Sequence, residues 1–391
     1  MQKAGLKGVE LRWSNPRLRA LVWQVLTLVL VALVIWFFVS TAHQNLSRMH
    51  IASGFSFLSS TAGFGIIQTL IPYSEASSYG RAFLVGLTNT LAVAIPGIGL
   101  AVVLGFLVGV ARLSNNWLVA KLAATYVEVL RNLPLLLQLF FWYFAVLRPM
   151  PALDEALSPL PGVFLSNRGI VLPLPQWTSD AAPFLIALVL GAGLSFAFLR
   201  WSRRQQKKTL PVLPVALALL FGLPLIALLI FGAPIQLQFA ERTAFDFSGG
   251  LRLLPEYMAL LLGLSFYTAA FIAEIVRAGI LSVSQGQWEA ARALGLRSNE
   301  TLRFVVVPQA LRVIVPPLTS QLLNLTKNSS LAVAIAYPDL VAVFAGTVLN
   351  QTGQAIEVIG ITMAVYLFLS LLTSALMNWY NARLMRKGMG T

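Results

Sequence analysis

Apolar runs long enough to cross a bilayer constrain this chain more than any other feature. Residues 20–39 form the first, about twenty residues without a charge, enough to span a hydrocarbon core about 30 Å thick. Secretory h-regions run to only about 7–15 residues, so Ser40-Thr41-Ala42 marks the end of a retained span and not a cleavage site. Further runs lie at 83–110, within 122–147, and at 182–199, 212–230, 256–280, 306–325 and 356–380. The sequence therefore predicts an all-α membrane protein with about eight transmembrane helices.

Composition agrees. Of 391 residues, 58% are hydrophobic and only 11% are charged, against about 25% charged in soluble domains. No cysteine is present, which excludes disulfides and thiolate metal sites. The formal net charge of +14 would suggest nucleic acid in a soluble protein. Here its distribution gives another meaning. Lys3, Lys7, Arg12, Arg17 and Arg19, against a single Glu10, precede the first run, and Arg112 and Lys121 bracket the turn after the second. Arg200, Arg203, Arg204, Lys207 and Lys208 separate 182–199 from 212–230, and Arg383, Arg386 and Lys387 follow the last run. With eight spans every cluster falls on one side, which the positive-inside rule makes the cytoplasm, with both termini there. An odd count would split them. A nucleic-acid partner is not expected. Residues 41–80, 148–181 and 233–255 then lie outside, and the second and third of these read as loops.

Polar residues inside the spans invite two readings each. Gly105 and Gly109 form a small-xxx-small pair suited to close helix packing. Thr88 and Asn89 either pack or line a polar pathway, as does Gln138 deep in an apolar helix. Glu128 and Arg131 are spaced i,i+3 and read as a structural ion pair, with Pro134 kinking the helix just beyond. Glu274 and Arg277 read as a second pair near the inner end of the sixth span. Residues 326–346, with Lys327, Asn328, Ser329, Ser330 and Tyr337-Pro338-Asp339, are too polar and broken to face lipid. At membrane depth they must be buried in protein or face a water-filled cavity.

One stretch differs from its surroundings. Residues 285–308, QGQWEAARALGLRSNETLRFVVVP, read as a soluble-looking helical island. Glu289-Ala290-Ala291 begins a short helix, Gly295 breaks it, and Ser298 or Asn299 is placed to cap a second helix with Glu300 in its first turn. Small side chains at Ala290 and Ala291 admit a partner surface close to the backbone, with Glu289 and Arg292 supplying charge. A rigid projection between spans is suited to receiving a mechanical push.

The order Glu-Ala-Ala, three residues, Gly, nine residues, Val-x-Val-Pro resembles the EAA loop of bacterial ABC-importer permeases, which ends in Ile-x-Leu-Pro. Tyr267-Thr268-Ala269-Ala270-Phe271-Ile272-Ala273-Glu274, Arg277-Ala278-Gly279-Ile280 and Lys327-Asn328-Ser329-Ser330-Leu331 resemble the polar amino-acid branch of that family. The resemblance covers roughly residues 81–147 and 256–382. It implies a type I permease core of five helices, to which this chain adds an N-terminal helix and an inserted hairpin at 182–232. With that insertion the chain resembles the larger permease subunit of general L-amino-acid importers. The expected division is then 1–80 for the basic tail, first helix and external loop, and 81–147 for the first part of the core. Residues 148–255 hold the insertion, and 256–391 the second part of the core with the coupling loop at 285–307.

The resemblance further implies a subunit that does not hydrolyse ATP but moves L-amino acids inward with partners. These are a second permease, expected to be homologous and non-identical, two ATPase subunits carrying ATP and Mg, a periplasmic substrate-binding protein, and membrane lipid. Glu289, Ala290, Ala291 and Gly295 would make the ATPase contact. For a zwitterionic substrate, Asn328, Ser329 and Ser330 offer donors and acceptors, Lys327 an attraction for the carboxylate, and Thr88, Asn89 and Gln138 a polar lining. The residues themselves support no enzyme and no cofactor in this chain. No GxxxxGK[ST] loop occurs, and the two histidines, His43 and His50, lie in one loop with no Ser–His–acid arrangement or zinc set around them. An ion-gradient-driven secondary transporter is the alternative, expected to show mid-membrane acids and repeated halves. A structural membrane subunit is a third reading.

Overall fold

Where lipid supplies no hydrogen-bond partners, a spanning segment closes its backbone bonds internally, and a chain this apolar becomes helical. The computed structural model describes residues 16–48, 54–178, 181–204, 211–243 and 245–387. The basic tail at Lys3, Lys7, Glu10 and Arg12, together with His50, Lys207 and Lys208, lies outside these residues. In chain order come α1 (Pro16–Arg48), α2 (Tyr79–Ala111), α3 (Trp117–Asn132) and α4 (Leu135–Phe140), the last continued by a wide π-helical turn to Leu147. The strands β1 (Leu157–Leu160), β2 (Val163–Ser166), β3 (Gly169–Leu172) and β4 (Leu174–Trp177) follow. The hairpin α5 (Ala181–Arg204) and α6 (Val212–Phe231) leads to β5 (Ile235–Gln238), β6 (Glu241–Arg242), β7 (Phe247–Ser248) and β8 (Leu251–Leu253). The chain ends with α7 (Pro255–Leu281), α8 (Gln285–Ala293), α9 (Ser298–Thr301), α10 (Val307–Asn328), α11 (Leu349–Thr352) and α12 (Ala355–Lys387).

Among the described residues seven helices are long and apolar enough to cross a membrane, or eight if the bent pair α3 and α4 counts as one span. That pair corrects the sequence expectation of a kinked third span. Its two arms diverge by 109°. Leu133 is extended ahead of Pro134, the conformation a residue before proline prefers, so the chain leaves α3 completely before α4 begins. A second correction concerns the seventh run. The helical stretch from Ser298 to Ile335 is continuous, so the second arm of the soluble-looking island runs without a break into the apolar helix that follows.

The chain divides into two compact units. The first comprises residues up to Thr88 and 340–368. It is built on aromatic contacts, with Phe344 tilted against Phe57 at 6.2 Å and edge-on to Phe83 at 5.2 Å, and on a hydrogen bond of 3.0 Å from the Tyr79 hydroxyl to Gln351.

The second unit comprises residues 89–339 and 369–391, and its core forms around α7. Glycine lets α2 come close. A Cβ at Gly105 would lie 2.6 Å from Ile272, and one at Gly109 would lie 2.7 Å from the Ala273 carbonyl oxygen. Tyr257 donates to the Ala92 carbonyl at 3.2 Å, and Ser265 to the Gly97 carbonyl at 3.3 Å. The inserted hairpin closes on itself in the same way, with the Ser195 hydroxyl donating to Ala216 O at 2.9 Å.

The segments on either side of the hairpin are not loops, which corrects the expectation for 148–181 and 233–255. They fold together as antiparallel sheet, in the order β1-β2-β3-β8, with β4 paired to β5 and β6 to β7. Strands before and after the hairpin pair directly, so the insertion is fastened at its base by β3–β8 and β4–β5. Strands as short as these carry little periodicity, and the prolines among them conceal it. Asp246 ties the cap together, reached by Arg252 at 2.9 Å and Arg168 at 3.5 Å. Partial burial opposes its charge, but the Phe247 backbone N–H and the two arginines outweigh this and hold the carboxyl below its ordinary range.

Two predictions follow from this packing. Gly109→Val drives a branched side chain into α7 and should cost about 1–3 kcal/mol, the usual range for overpacking. Gly99→Ala, inside α2 where a Cβ meets nothing within 4 Å, should leave the melting temperature unchanged or slightly raised. Equal losses in detergent-solubilised protein would contradict the contact. In the cap, Asp246 holds its proton less tightly folded than unfolded. Its contribution is complete above its unfolded pKa of about 4 and is lost as pH falls through the lower folded value. Amide exchange in β7 and β8, corrected for its intrinsic pH dependence, should accelerate only in that acid range, and Asp246→Asn should remove the pH dependence.

Candidate functional site

The best-defined site is the segment between α7 and α10. Helix α8 has two faces. Trp288 packs against the core, and Ala291, three residues on, is 2% exposed. Glu289, Ala290 and Ala293 lie on the open face. The helix ends in a Schellman arrangement, in which Leu296 N–H donates to Ala291 O at 3.1 Å and Gly295 N–H to Arg292 O at 2.9 Å. Gly295 takes φ +75°, a left-handed conformation that glycine adopts without strain. A Cβ there would meet nothing within 4 Å, so the requirement is conformational and not steric.

The turn leads into α9 through Arg297, whose backbone N–H donates to the Glu300 carboxylate at 2.9 Å. Ser298 is the first helical residue and not the cap, and no side-chain cap acts at Arg297, so the expected capping by Ser298 or Asn299 is corrected. A π-helical turn, Leu302–Val306, then absorbs the missing N–H of Pro308 and passes the helix on to α10. Gln309 joins the two arms, donating to Gln287 Oε1 at 3.1 Å and to Val305 O at 3.0 Å. Gly279 lets α7 cross α10 closely, since a Cβ there would collide with Ile314. The small helix is thereby fastened to two membrane helices, and a force on its open face reaches both.

Of the residues expected to touch a partner, Glu289, Ala290 and Gly295 are exposed, but Ala291 is not. Its small size serves packing beneath α8. The residue missed by sequence reasoning is Leu294, 80% exposed at the tip of the turn. No local signal marked it, since at i,i+3 from the buried Ala291 helical spacing would turn Leu294 inward, and only the turn at Gly295 exposes it. Behind the open face a groove of about 1330 Å³ is lined by Trp288, Glu289, Arg292, Asn299 and Arg303, with Val110 of α2 opposite.

Above the segment lies a charge cluster. Glu274 accepts from Arg277 at 2.7 Å, in the spacing the sequence suggested, and also from Arg112 at the end of α2. Arg131 is 3.9 Å from the same carboxylate and lies over the Phe271 ring. The expected Glu128–Arg131 pair is therefore corrected. Glu128 is exposed and forms no ion pair among the described residues, because the face of α3 that carries Arg131 turns toward α7.

The candidate pathway residues are directed to backbone. Asn89, fully buried, donates from Nδ2 to Pro338 O at 2.9 Å, and Tyr337 donates to Asn89 O at 3.0 Å. Gln138 donates from Nε2 to Leu130 O and Leu133 O at 2.8 and 3.0 Å, closing the carbonyls left by the α3 break. Thr88 donates to Leu84 O and Val85 O within its own helix. Ser329, fully buried, donates to Thr326 O at 2.8 Å, and Ser330 to Lys327 O at 2.7 Å. Lys327 is exposed and Asn328 is half-buried. Asn89 and Gln138 hold two separate backbone breaks, so these side chains do not assemble one lining. Within the polar stretch 326–339, Ser329, Tyr337 and Asp339 are fully buried while Lys327 and Val333 are exposed.

Gly295→Val should strain the turn by about 1–2 kcal/mol, the cost of a left-handed conformation for an ordinary residue. Amide exchange at Leu294 and Leu296 should then rise about tenfold, one factor of ten per 1.4 kcal/mol. Gly295→Asn, which tolerates that conformation, should change it little. Equal exchange in both variants would remove the hinge from the account.

The family model described as "Binding-protein-dependent transport system inner membrane component" matches residues 101–387. The putative amino-acid ABC transporter permease protein YhdX of Escherichia coli K12 is 52% identical over 387 residues, 98% of each chain. The general L-amino acid transport system permease protein AapQ of Rhizobium johnstonii is 49% identical over 373 residues, 95% of this chain and 93% of its own. A solved structure titled as an amino acid ABC transporter with histidines aligns over 78% of this chain and 95% of its own, at 21% identity and a TM-score of 0.47.

Proposed function

The chain belongs to the family of binding-protein-dependent transport system inner membrane components, and from that premise we propose that it imports L-amino acids as the larger permease of a hetero-oligomeric transporter. The observation that carries the mechanism is the fastening of α8. Glu289, Ala290 and Leu294 present a contact surface, and Gln309 and the Gly295 turn pass its displacement to α7 and α10. Two ATPase subunits, holding ATP and Mg, would each receive one such helix, one from this chain and one from a homologous second permease. Closure of the ATPases on ATP would move the two helices together and tilt the membrane helices between outward and inward openings. A periplasmic binding protein would deliver the amino acid. The protein would lie in the inner membrane with both termini in the cytoplasm, the arrangement that puts Arg200, Arg292, Arg297 and Arg383 on the basic side.

The ion-gradient alternative calls for acids at mid-membrane, whereas the amides Asn89 and Gln138 are occupied in holding backbone breaks.

The test is reconstitution of the chain with its second permease, ATPase and binding protein in vesicles. The loaded binding protein should stimulate ATP hydrolysis several-fold. Leu294→Asp should lower coupled uptake at least tenfold while the membrane subunits still assemble. Uptake at the original rate in that variant, or uptake without ATP, would overturn the proposal.

A further inference from the structure

The charges around Glu274 do not balance. Arg112, Arg131 and Arg277 surround this single carboxylate, and among the described residues no other acid lies within 4.0 Å of them. The group carries a formal excess of two positive charges on helices α2, α3 and α7, where an uncompensated charge is costly. Arg131 is the least satisfied member. Its side chain is 40% exposed, and 3.9 Å is too long for a hydrogen bond to Glu274, so its N–H donors remain available beside the Phe271 ring.

Next to it lies the elbow between α3 and α4. The 109° bend opens an apolar trough of about 590 Å³, lined by Val129, Leu133, Leu137, Phe141, Trp142 and Phe266. Leu133, which lines the trough, follows Arg131 by two residues at the end of α3. Along α7, Phe266 precedes Glu274 by eight residues, or about 12 Å at 1.5 Å per residue. One seam thus offers an apolar trough and, beside the inner part of α7, the guanidinium of Arg131, held by Glu274 only at 3.9 Å. With α7 running inward, as in the proposed topology, the cationic end faces the cytoplasm.

We propose that this seam holds one phospholipid of the inner leaflet, its phosphate on Arg131 and Arg277 and an acyl chain in the elbow. A phosphate oxygen within hydrogen-bond reach of Arg131 would accept the bonds that Glu274, at 3.9 Å, does not, and would bring one of the two negative charges the cluster lacks. The trough is lined almost entirely by apolar side chains, as a chain site requires, and offers no charged group to a zwitterion's ammonium. The lipid would fill the hollow left by the break in α3 and support the elbow as α7 moves. The inference uses the inward direction of α7 from the proposed function but not the transport activity itself.

The assembled transporter, exchanged into lipid-free detergent, is assayed for organic phosphorus per complex and by native mass spectrometry. One tightly held phospholipid per copy of this chain is expected. Arg131→Gln, which removes the phosphate contact, and Val129→Trp, which fills the trough, should each reduce its retention at least fivefold. No retained lipid, or retention unchanged in both variants, overturns the proposal. So does protection of wild type and Val129→Trp alike by inorganic phosphate in thermal melts, which would make the seam a free-anion site. Efficient cross-linking of Leu133→Cys to the second permease would mean that protein covers the trough, and would overturn it too. A complex that retains the lipid but imports no amino acid would unseat the proposed function and leave this site standing.

Discussion

The structure depends on one constraint: no backbone polar group can be left open where lipid replaces water. Uninterrupted helices meet it by themselves, but this chain breaks its helices at Pro134 and around Tyr337-Pro338, and each break exposes carbonyls. Side chains close them. Gln138 donates to Leu130 and Leu133, and Asn89 donates to Pro338 while receiving Tyr337. Glycine meets the same constraint in a different way, allowing α2 to lie against α7 at Gly105 and Gly109 without intervening side chains. The rigid unit around α7 is the consequence, and α8 is attached to its end.

Much of this was legible in the residues. The apolar runs gave the helices, and the spacing from Glu289 to Pro308 gave a glycine-hinged projection. Gly295 was identified as a helix breaker, and it takes the left-handed conformation that such a break needs. The small-xxx-small pair at Gly105 and Gly109 marked a close helix contact. Glu274 and Arg277 were paired by spacing alone.

What escaped has physical reasons. Helical spacing names neighbours within one helix but not across two, so Glu128 was matched to Arg131 when the partner of Arg131 lies on α7. Arg112 joined the cluster from a third helix, which no local pattern reveals. Polar residues in apolar helices suggested a substrate path, yet Asn89, Gln138 and Ser329 give their hydrogens to backbone, a demand visible only once the breaks are in place. The β cap was hidden because four-residue strands interrupted by proline have no usable period. Ala291 was rightly singled out for its size but not for its direction, since one position separates the open face of α8 from the buried one.

The central claim is that the tip of α8 meets the ATPase, and the absence of cysteine from the sequence makes it directly testable. Leu294→Cys places a single thiol at the exposed tip. In the assembled transporter, a short bifunctional reagent should cross-link it to the ATPase subunit in high yield, and a thiol introduced instead by Gly99→Cys, on α2, should not react with that subunit. The cross-link from the tip should form, and it should block ATP-driven uptake. If the tip thiol reacts only with membrane-impermeant reagents added outside, or cross-links to no ATPase under any nucleotide condition, the coupling role of α8 is contradicted.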